Sequence, residues 1–180
     1  MRITGGLLRG RHVKVPPGII RPSMDRMRES VFAALGDITG LSFLDLFSGT
    51  GIIALEAASR GALYIEAVEA DVNKRKIILE NVAISPVRIN CRFMPAELYI
   101  RRAKHKFNII FLDPPFPYKH KWEFLSDVAA SQIVSNETKI VLHRPREDFQ
   151  MKQIEKLELK KSKEYGRSII DVFQIICGEF

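Results

Sequence analysis

Apolar and polar positions follow a regular order along most of the chain, and that order predicts strands alternating with helices. Short, almost continuously apolar runs predict buried strands at residues 41–46, 63–69, 87–92, 107–112 and 139–143. Apolar positions at three- and four-residue spacing predict helices at residues 52–60, 72–81, 96–103 and 122–130. Strands without a polar face that alternate with helices are typical of a parallel sheet covered on both sides.

The beginning of the chain departs from this alternation. Glycines and the pair Pro16-Pro17 interrupt short β-like pieces, which predicts a hairpin arm over residues 1–20 with little core of its own. A helix then begins near Ser23 and ends at Gly36, since glycine is favoured just after the last turn of a helix.

The end of the chain also departs from it. Residues 157–160 and 169–176 are strand-like and flank the pair Tyr165-Gly166 with no helix between them, which predicts antiparallel pairing. With the five preceding strands, this gives an α/β fold with a mostly parallel seven-stranded sheet and an antiparallel strand near the C-terminus. We expect residues 21–180 to form one domain beside the arm.

Composition restricts the class of protein. The chain has 180 residues, of which 46% are hydrophobic, as is typical of one globular domain. No run approaches the roughly 20 apolar residues that a membrane span needs, and the first residues contain no apolar signal region. Cys91 and Cys177 are too few for a disulfide framework. We therefore expect a cytoplasmic protein without a membrane partner.

Positive charge is concentrated at the N-terminus. The chain carries a net charge of +7, and residues 1–30 hold seven basic and two acidic residues, or +5 of that total. Clustering of this kind indicates a polyanionic partner such as RNA, although a solvated basic terminus without a partner has the same composition. The candidate RNA-binding residues are Arg2, Arg9, Arg11, Lys14, Arg21, Arg26 and Arg28.

A glycine-containing turn follows the first strand of the alternating region. Glycines there let a ligand approach the backbone, and the next helix offers free N–H groups. Asp45 at the end of the strand would repel a pyrophosphate and suits a ligand with a cationic amino group, such as the methionine moiety of S-adenosylmethionine. The candidate cofactor-binding residues of this turn are Asp45, Phe47, Ser48, Gly49, Thr50 and Gly51.

Glu69 ends the second strand, 18 residues after Gly51. A carboxylate at this place can accept hydrogen bonds from both hydroxyls of an adenosine ribose. It therefore fits a nicotinamide dinucleotide as well as S-adenosylmethionine. The neighbouring Asp71 is expected to begin the next helix as its N-cap.

The segment Asp113-Pro114-Pro115-Phe116 ends the fourth strand. Two prolines stiffen the backbone and remove two N–H donors, which leaves the Asp113 carboxylate and the Pro114 carbonyl as acceptors. These acceptors and the ring of Phe116 suit a planar base with an exocyclic amine, flipped out of its stack. Methyl transfer to such an amine needs mainly positioning for in-line displacement, and we assign Asp113, Pro114, Pro115 and Phe116 as catalytic. No metal site is expected, because the four histidines have no ligand spacing.

These three motifs, in this order, resemble those of the class I S-adenosylmethionine-dependent amino-methyltransferases. The N-terminal segments Gly5-Gly6, Arg9-Gly10-Arg11 and 21–32, with Tyr165-Gly166, are similar to the bacterial 16S rRNA (guanine-N2)-methyltransferases. The resemblance covers nearly the whole chain. It implies a Rossmann-like methyltransferase fold, S-adenosylmethionine as cofactor, and an adenine contact at the Ala96 backbone N–H.

The same resemblance implies a substrate and a state of assembly. The substrate is the N2 amine of a guanine in 16S rRNA, within the small ribosomal subunit or an assembly intermediate, and the protein acts as a monomer. The nearest alternative is an adenine-N6 methyltransferase acting on DNA or RNA, because the acceptor loop serves any exocyclic amine. A nicotinamide-dependent oxidoreductase leaves the Asp113 segment unexplained, and a non-enzymatic RNA-binding module explains only the basic arm.

Overall fold

The computed structural model describes residues 1–15, 23–148 and 154–176. In these ranges the helices are α1 (Ser23–Leu35), α2 (Ile52–Ser59), α3 (Arg75–Val82), α4 (Ala96–Arg102) and α5 (Lys121–Ala130). The strands are β1 (Ser42–Leu46), β2 (Tyr64–Glu69), β3 (Ile89–Phe93), β4 (Ile109–Leu112), β5 (Lys139–Pro145), β6 (Leu157–Tyr165) and β7 (Ser168–Ile175).

All seven strands form one sheet in the order β3-β2-β1-β4-β5-β7-β6. The first five are parallel to one another, and β7 runs antiparallel to both of its neighbours. Every residue of β1 and β4 is buried, because helices cover both faces of the sheet centre. The strand order reverses between the neighbours β1 and β4, because the chain passes from β3 at one edge to β4 on the other side of β1. Ligands of such sheets bind at the carboxyl ends of the strands at that point.

The segment predicted as one helix over residues 72–81 is divided. Asp71 accepts a hydrogen bond from the Asn73 N–H, at 3.0 Å, and starts a short 3₁₀ turn, Val72–Lys74, before α3 begins. The predicted capping role of Asp71 is confirmed. Such a turn is common where a helix begins.

The N-terminal arm packs against α2. Its side chains Ile3, Leu8 and Val13 are buried in the same apolar cluster as α2, and the Leu7 N–H donates to the Ser59 carbonyl at 2.7 Å. Gly6 has φ +73°, and a Cβ atom there would lie 1.9 Å from that carbonyl oxygen. Glycine at this position therefore allows the close approach of arm and helix.

The helices of the described ranges are short, between seven and 13 residues. None of the helices there is long and apolar enough for a membrane span.

Candidate active site

The turn after β1 has an unusual backbone. Phe47 adopts φ +65°, a left-handed conformation that is uncommon outside glycine, and its ring packs edge-on against Phe124. Gly51 adopts φ +79°, and a Cβ atom there would lie 3.2 Å from Val82 of α3. The sequence therefore places glycine where the helix that follows must pass close to a neighbour. Thr50 lines the cavity beside this turn.

Asp45 lies buried beneath the turn. Its Oδ2 accepts hydrogen bonds from the Ser48 hydroxyl, at 2.7 Å, and from the Ala54 N–H, at 3.2 Å. Its Oδ1 is buried and has no partner among the described residues. Burial raises the pKa of Asp45 to about 7, because the loss of hydration outweighs the two hydrogen bonds that lower the pKa, and the nearby charges of Asp113 and Glu69 raise it further. A buried carboxyl group with an unpartnered oxygen favours a cationic ligand, which would stabilise its charged form.

Glu69 stands at the end of β2, next to the same turn. Its Oε2 accepts from the Gly49 N–H at 2.8 Å, and its Oε1 accepts from the Asp71 N–H at 2.9 Å. Lys74 forms an ion pair with Oε1 at 3.3 Å and lines the cavity as well. Oε2 accepts one hydrogen bond and retains a lone pair that a ribose hydroxyl can use, whereas Oε1 is occupied by the Asp71 N–H and Lys74. Sequence reasoning missed Lys74, whose only signal is its position in the first turn after Glu69.

The segment that begins at Asp113 forms a corner at the end of β4. The Asp113 N–H donates to the Leu46 carbonyl at 3.3 Å, which joins the ends of the two central strands. Pro115 accepts from the Tyr118 N–H at 2.8 Å and closes the turn. The ring of Phe116 is 38% exposed, an unusual exposure for a large apolar side chain next to a cavity.

His143 is a residue of the site that sequence reasoning missed. It lies on β5 directly across from Asp113, and its Nδ1 is 2.7 Å from the Asp113 Oδ1. The imidazole is buried and packs edge-on against the ring of Phe116, with centroids 5.6 Å apart. Its signal in the sequence was its place at the end of a predicted strand, where ligand-binding residues of parallel sheets collect.

Two adjoining cavities connect these groups. The larger has a volume of about 550 Å³ and is lined by Glu69, Asp113 and Phe116, and the smaller reaches Asp45. A volume of this size lies within the range of about 300–1,000 Å³ usual for small-molecule sites. Three carboxylates around these two adjoining cavities favour a cation. The residues present therefore fit S-adenosylmethionine, whose ammonium and sulfonium groups are both positive, and Oδ1 of Asp45 is an unused acceptor for the ammonium.

Ala96 does not line either of these cavities. It is the first residue of α4, and its side chain is buried in the apolar cluster on one side of the sheet. The adenine contact expected from the resemblance stays a prediction about its backbone N–H.

Arg28 corrects the predicted RNA-binding set. Its side chain is fully buried and pairs with Asp25 at 2.6 Å and with Glu56 of α2 at 3.4 Å, and it also donates to the Arg2 carbonyl at 2.8 Å. The guanidinium joins the arm, α1 and α2, so it is out of reach of a nucleic acid. A buried charge is kept only where it is paired in this way.

The other basic candidates divide into two groups. Arg2 and Lys14 are exposed but form ion pairs, Arg2 with Asp25 and Lys14 with Glu80. The exposed side chains without an ionic partner in the described part of the chain are Arg9, Arg11 and Arg26. Arg21 lies outside the described residues.

Comparison with known proteins finds a family model and several relatives that are similar to this chain. The family model described as "Conserved hypothetical protein 95" matches residues 1–174. The chain is 36% identical to the ribosomal RNA small subunit methyltransferase D of Escherichia coli (strain K12) over 121 residues, which cover 64% of this chain and 60% of that protein. The Haemophilus influenzae protein of the same name is 30% identical over 143 residues, or 76% of this chain and 72% of that protein.

Solved structures agree over a greater length. The Escherichia coli protein yhhF has a TM-score of 0.85 and 27% identity, and the match covers 97% of each chain. A hypothetical protein of Thermus thermophilus has a TM-score of 0.83 and 29% identity, covering 97% of this chain and 99% of that one. The predicted Rossmann-like fold of class I methyltransferases is confirmed.

Proposed function

We propose that this chain, which belongs to the family described as "Conserved hypothetical protein 95", transfers a methyl group from S-adenosylmethionine to the N2 amine of a guanine in small-subunit rRNA. The class of substrate is suggested by the names of the Escherichia coli and Haemophilus influenzae relatives. The observation that carries the reaction is the corner at Asp113, which lines both adjoining cavities, one together with Asp45 and the other together with Glu69.

The corner activates the amine by holding its hydrogens. Bound S-adenosylmethionine supplies an electrophilic methyl group on a sulfonium centre. Asp113 accepts one amine hydrogen and the Pro114 carbonyl accepts the other, so the nitrogen lone pair is aimed at the methyl carbon. The bound cofactor would supply sulfur as the leaving group, which keeps the electron pair of the broken C–S bond, and Asp113 would take up the proton that the nitrogen loses. Phe116 stacks on the base and keeps its amine in this position.

The reaction is tested by identifying its product. Purified protein, S-adenosylmethionine with a labelled methyl group, and either naked 16S rRNA or small ribosomal subunits are incubated, and the RNA is digested to nucleosides. We expect label in N2-methylguanosine. Label in N6-methyladenosine alone would support the adenine alternative and overturn the proposed base, and an absence of label from both substrates would overturn the activity.

The exposed arginines of the arm are expected to contact RNA phosphates. Replacing both Arg9 and Arg11 with alanine removes two cations that have no described ionic partner. Log affinity falls as log salt rises, and each lost phosphate contact makes that slope less steep by about 0.7–0.9. We therefore expect the magnitude of the slope to decrease by up to about 1.8 when both contacts are lost. The slope is measured by filter binding of rRNA fragments at several salt concentrations.

A matched control removes equal charge from positions outside the arm. Arg88 precedes β3 and Lys139 begins β5, both at the amino ends of their strands and far from the cavity. The double alanine variant at these two positions should keep the slope of the unmodified protein. Equal slopes for the arm variant and the unmodified protein would exclude the arm from RNA binding.

A further inference from the structure

The strand register makes His143 and Asp113 neighbours. Leu112 of β4 is paired with Leu142 of β5. The residues that follow them, Asp113 and His143, therefore lie side by side at the carboxyl edge of the sheet. The 2.7 Å contact between the His143 Nδ1 and the Asp113 Oδ1 follows from this register. The described side chains that line the cavity around this pair include two with charge, Glu69 and Lys74.

The hydrogen-bond network assigns the imidazole tautomer. A carboxylate accepts but does not donate, so the Nδ1–H of His143 donates to Asp113. The Nε2 of His143 is buried and has no hydrogen-bond partner among the described residues. In the neutral imidazole with its proton on Nδ1, Nε2 is a buried acceptor without a donor, a costly state that an N–H of a ligand would relieve. The geometry therefore leaves a bare nitrogen lone pair at the wall of the cavity.

A buried acceptor beside the amine-binding corner has a natural use. We propose that the Nε2 of His143 accepts the N1–H of the guanine whose N2 amine is held by Asp113 and Pro114. This inference rests on the proposed function and adds to it a residue that determines which base is bound. In guanine the ring N–H and the exocyclic amine are adjacent donors on one edge, so one edge meets two neighbouring acceptors.

The same arrangement rejects adenine. The ring nitrogens next to the adenine N6 amine include N1, which carries a lone pair and no hydrogen. In the pose that places that amine on Asp113, this lone pair would face the lone pair of Nε2. A site built to receive an N–H discriminates strongly against a base that lacks it, because its own buried acceptor is then left unpaired.

Entry of the base requires movement of Phe116. The ring packs edge-on against the imidazole, and Nε2 is buried beside it. Phe116 is partly exposed, so it can rotate away from His143 and stack on the base that takes its place. One motion thus uncovers the acceptor and completes the aromatic contact.

The test compares guanine with 2-aminopurine at the target position of an RNA substrate. 2-Aminopurine keeps the amine that receives the methyl group, but its N1 has no hydrogen. The variant is His143→Asn, because the asparagine amide can still donate to Asp113 while the acceptor at the Nε2 position is lost. We expect this variant to lower kcat/KM for guanine by about ten- to a hundredfold and to leave kcat/KM for 2-aminopurine within about threefold.

The decisive quantity is the ratio of the two kcat/KM values. A merely structural role of His143 lowers both values equally, and an unchanged ratio overturns the inference even where methyl transfer to guanine stands. The matched control Ser168→Ala, a polar residue of the same cavity, should leave the ratio unchanged. Should His143→Asn fail to fold, the unmodified protein still decides, because equal kcat/KM for guanine and 2-aminopurine contradicts the inference. Failure of the proposed function itself shows as no N2-methylguanosine with either protein.

Discussion

Replacing Asp113 with asparagine should lower the rate of methyl transfer by about 10²–10³-fold, the usual cost of removing one preorganised group that stabilises a transition state. The attacking amine gains positive charge as it approaches the sulfonium, and a carboxylate stabilises that charge where a neutral amide cannot. The amide can also present its NH₂ group to the amine, which repels it. The measurement is a single-turnover assay with labelled S-adenosylmethionine and saturating rRNA.

The fold and the cofactor affinity of this variant should persist. Asparagine keeps the shape of the side chain and an acceptor for the His143 Nδ1–H. We expect the melting temperature and the dissociation constant for S-adenosylmethionine, measured by calorimetry, to change little. Asp127→Asn, an exposed position of α5, is the matched control and should retain full activity. A rate above a tenth of the original in the Asp113 variant would remove this residue from the catalytic step.

Most of the fold was predictable because hydrophobic burial determines it. All seven predicted strands are present, and all of their ends but one lie within two residues of the prediction. The exception is β6, predicted over 157–160 and observed to Tyr165. Its second half is Lys-Ser-Lys-Glu-Tyr, which has no apolar face because β6 is the edge strand. Charge protects such an edge from pairing with other chains, and it also hides the strand from a hydrophobic pattern.

The candidate site was predictable where one short segment carries the chemistry. The turn at Asp45 and the corner at Asp113 can each be recognised from a few consecutive residues, and both line the same cavity in the structure. His143 was missed because its partner is 30 residues away and only the register of two strands brings them together. Spacing along the chain carries no such information.

Arg28 shows the opposite error. Charge counting assigned it to the RNA surface, yet it falls at helical spacing between Met24 and Val31, on the apolar face of α1. The hydrophobic pattern therefore contained the correct answer, which the net charge concealed. A buried acidic partner on another helix, Glu56, makes the position tolerable for arginine. Such a pair is invisible until the two helices are packed.

Asp45 should make cofactor binding depend on pH. Its pKa is raised to about 7 by burial, whereas the ordinary value is 3.8. A positive ligand favours the charged form, so binding below pH 7 must expel a proton. We expect the association constant for S-adenosylmethionine to rise by up to about tenfold per pH unit below 7 and to level off above it. Calorimetry in buffers of different ionisation enthalpy measures both the affinity and the released proton.

The variant Asp45→Asn separates this group from other titrating residues. It should bind S-adenosylmethionine about a hundredfold more weakly at pH 8, because a charge-assisted contact is lost, and its affinity should no longer change between pH 6 and 8. The unliganded protein should show the opposite trend. A carboxyl group with a raised folded pKa contributes stability that is present below its unfolded pKa and is lost as pH rises through about 7.

Thermal melting at several pH values therefore completes the cycle. The melting temperature of the unliganded protein should fall between about pH 4 and 7 more steeply than that of Asp45→Asn, while the exposed control Asp37→Asn should follow the unmodified protein. The two trends have one cause. A carboxylate without enough partners destabilises the unliganded fold, and the same deficit becomes binding energy when a cation arrives. If the melting temperatures of the protein and of Asp45→Asn depended on pH in the same way, the buried Asp45 carboxylate would not be the cause of either trend.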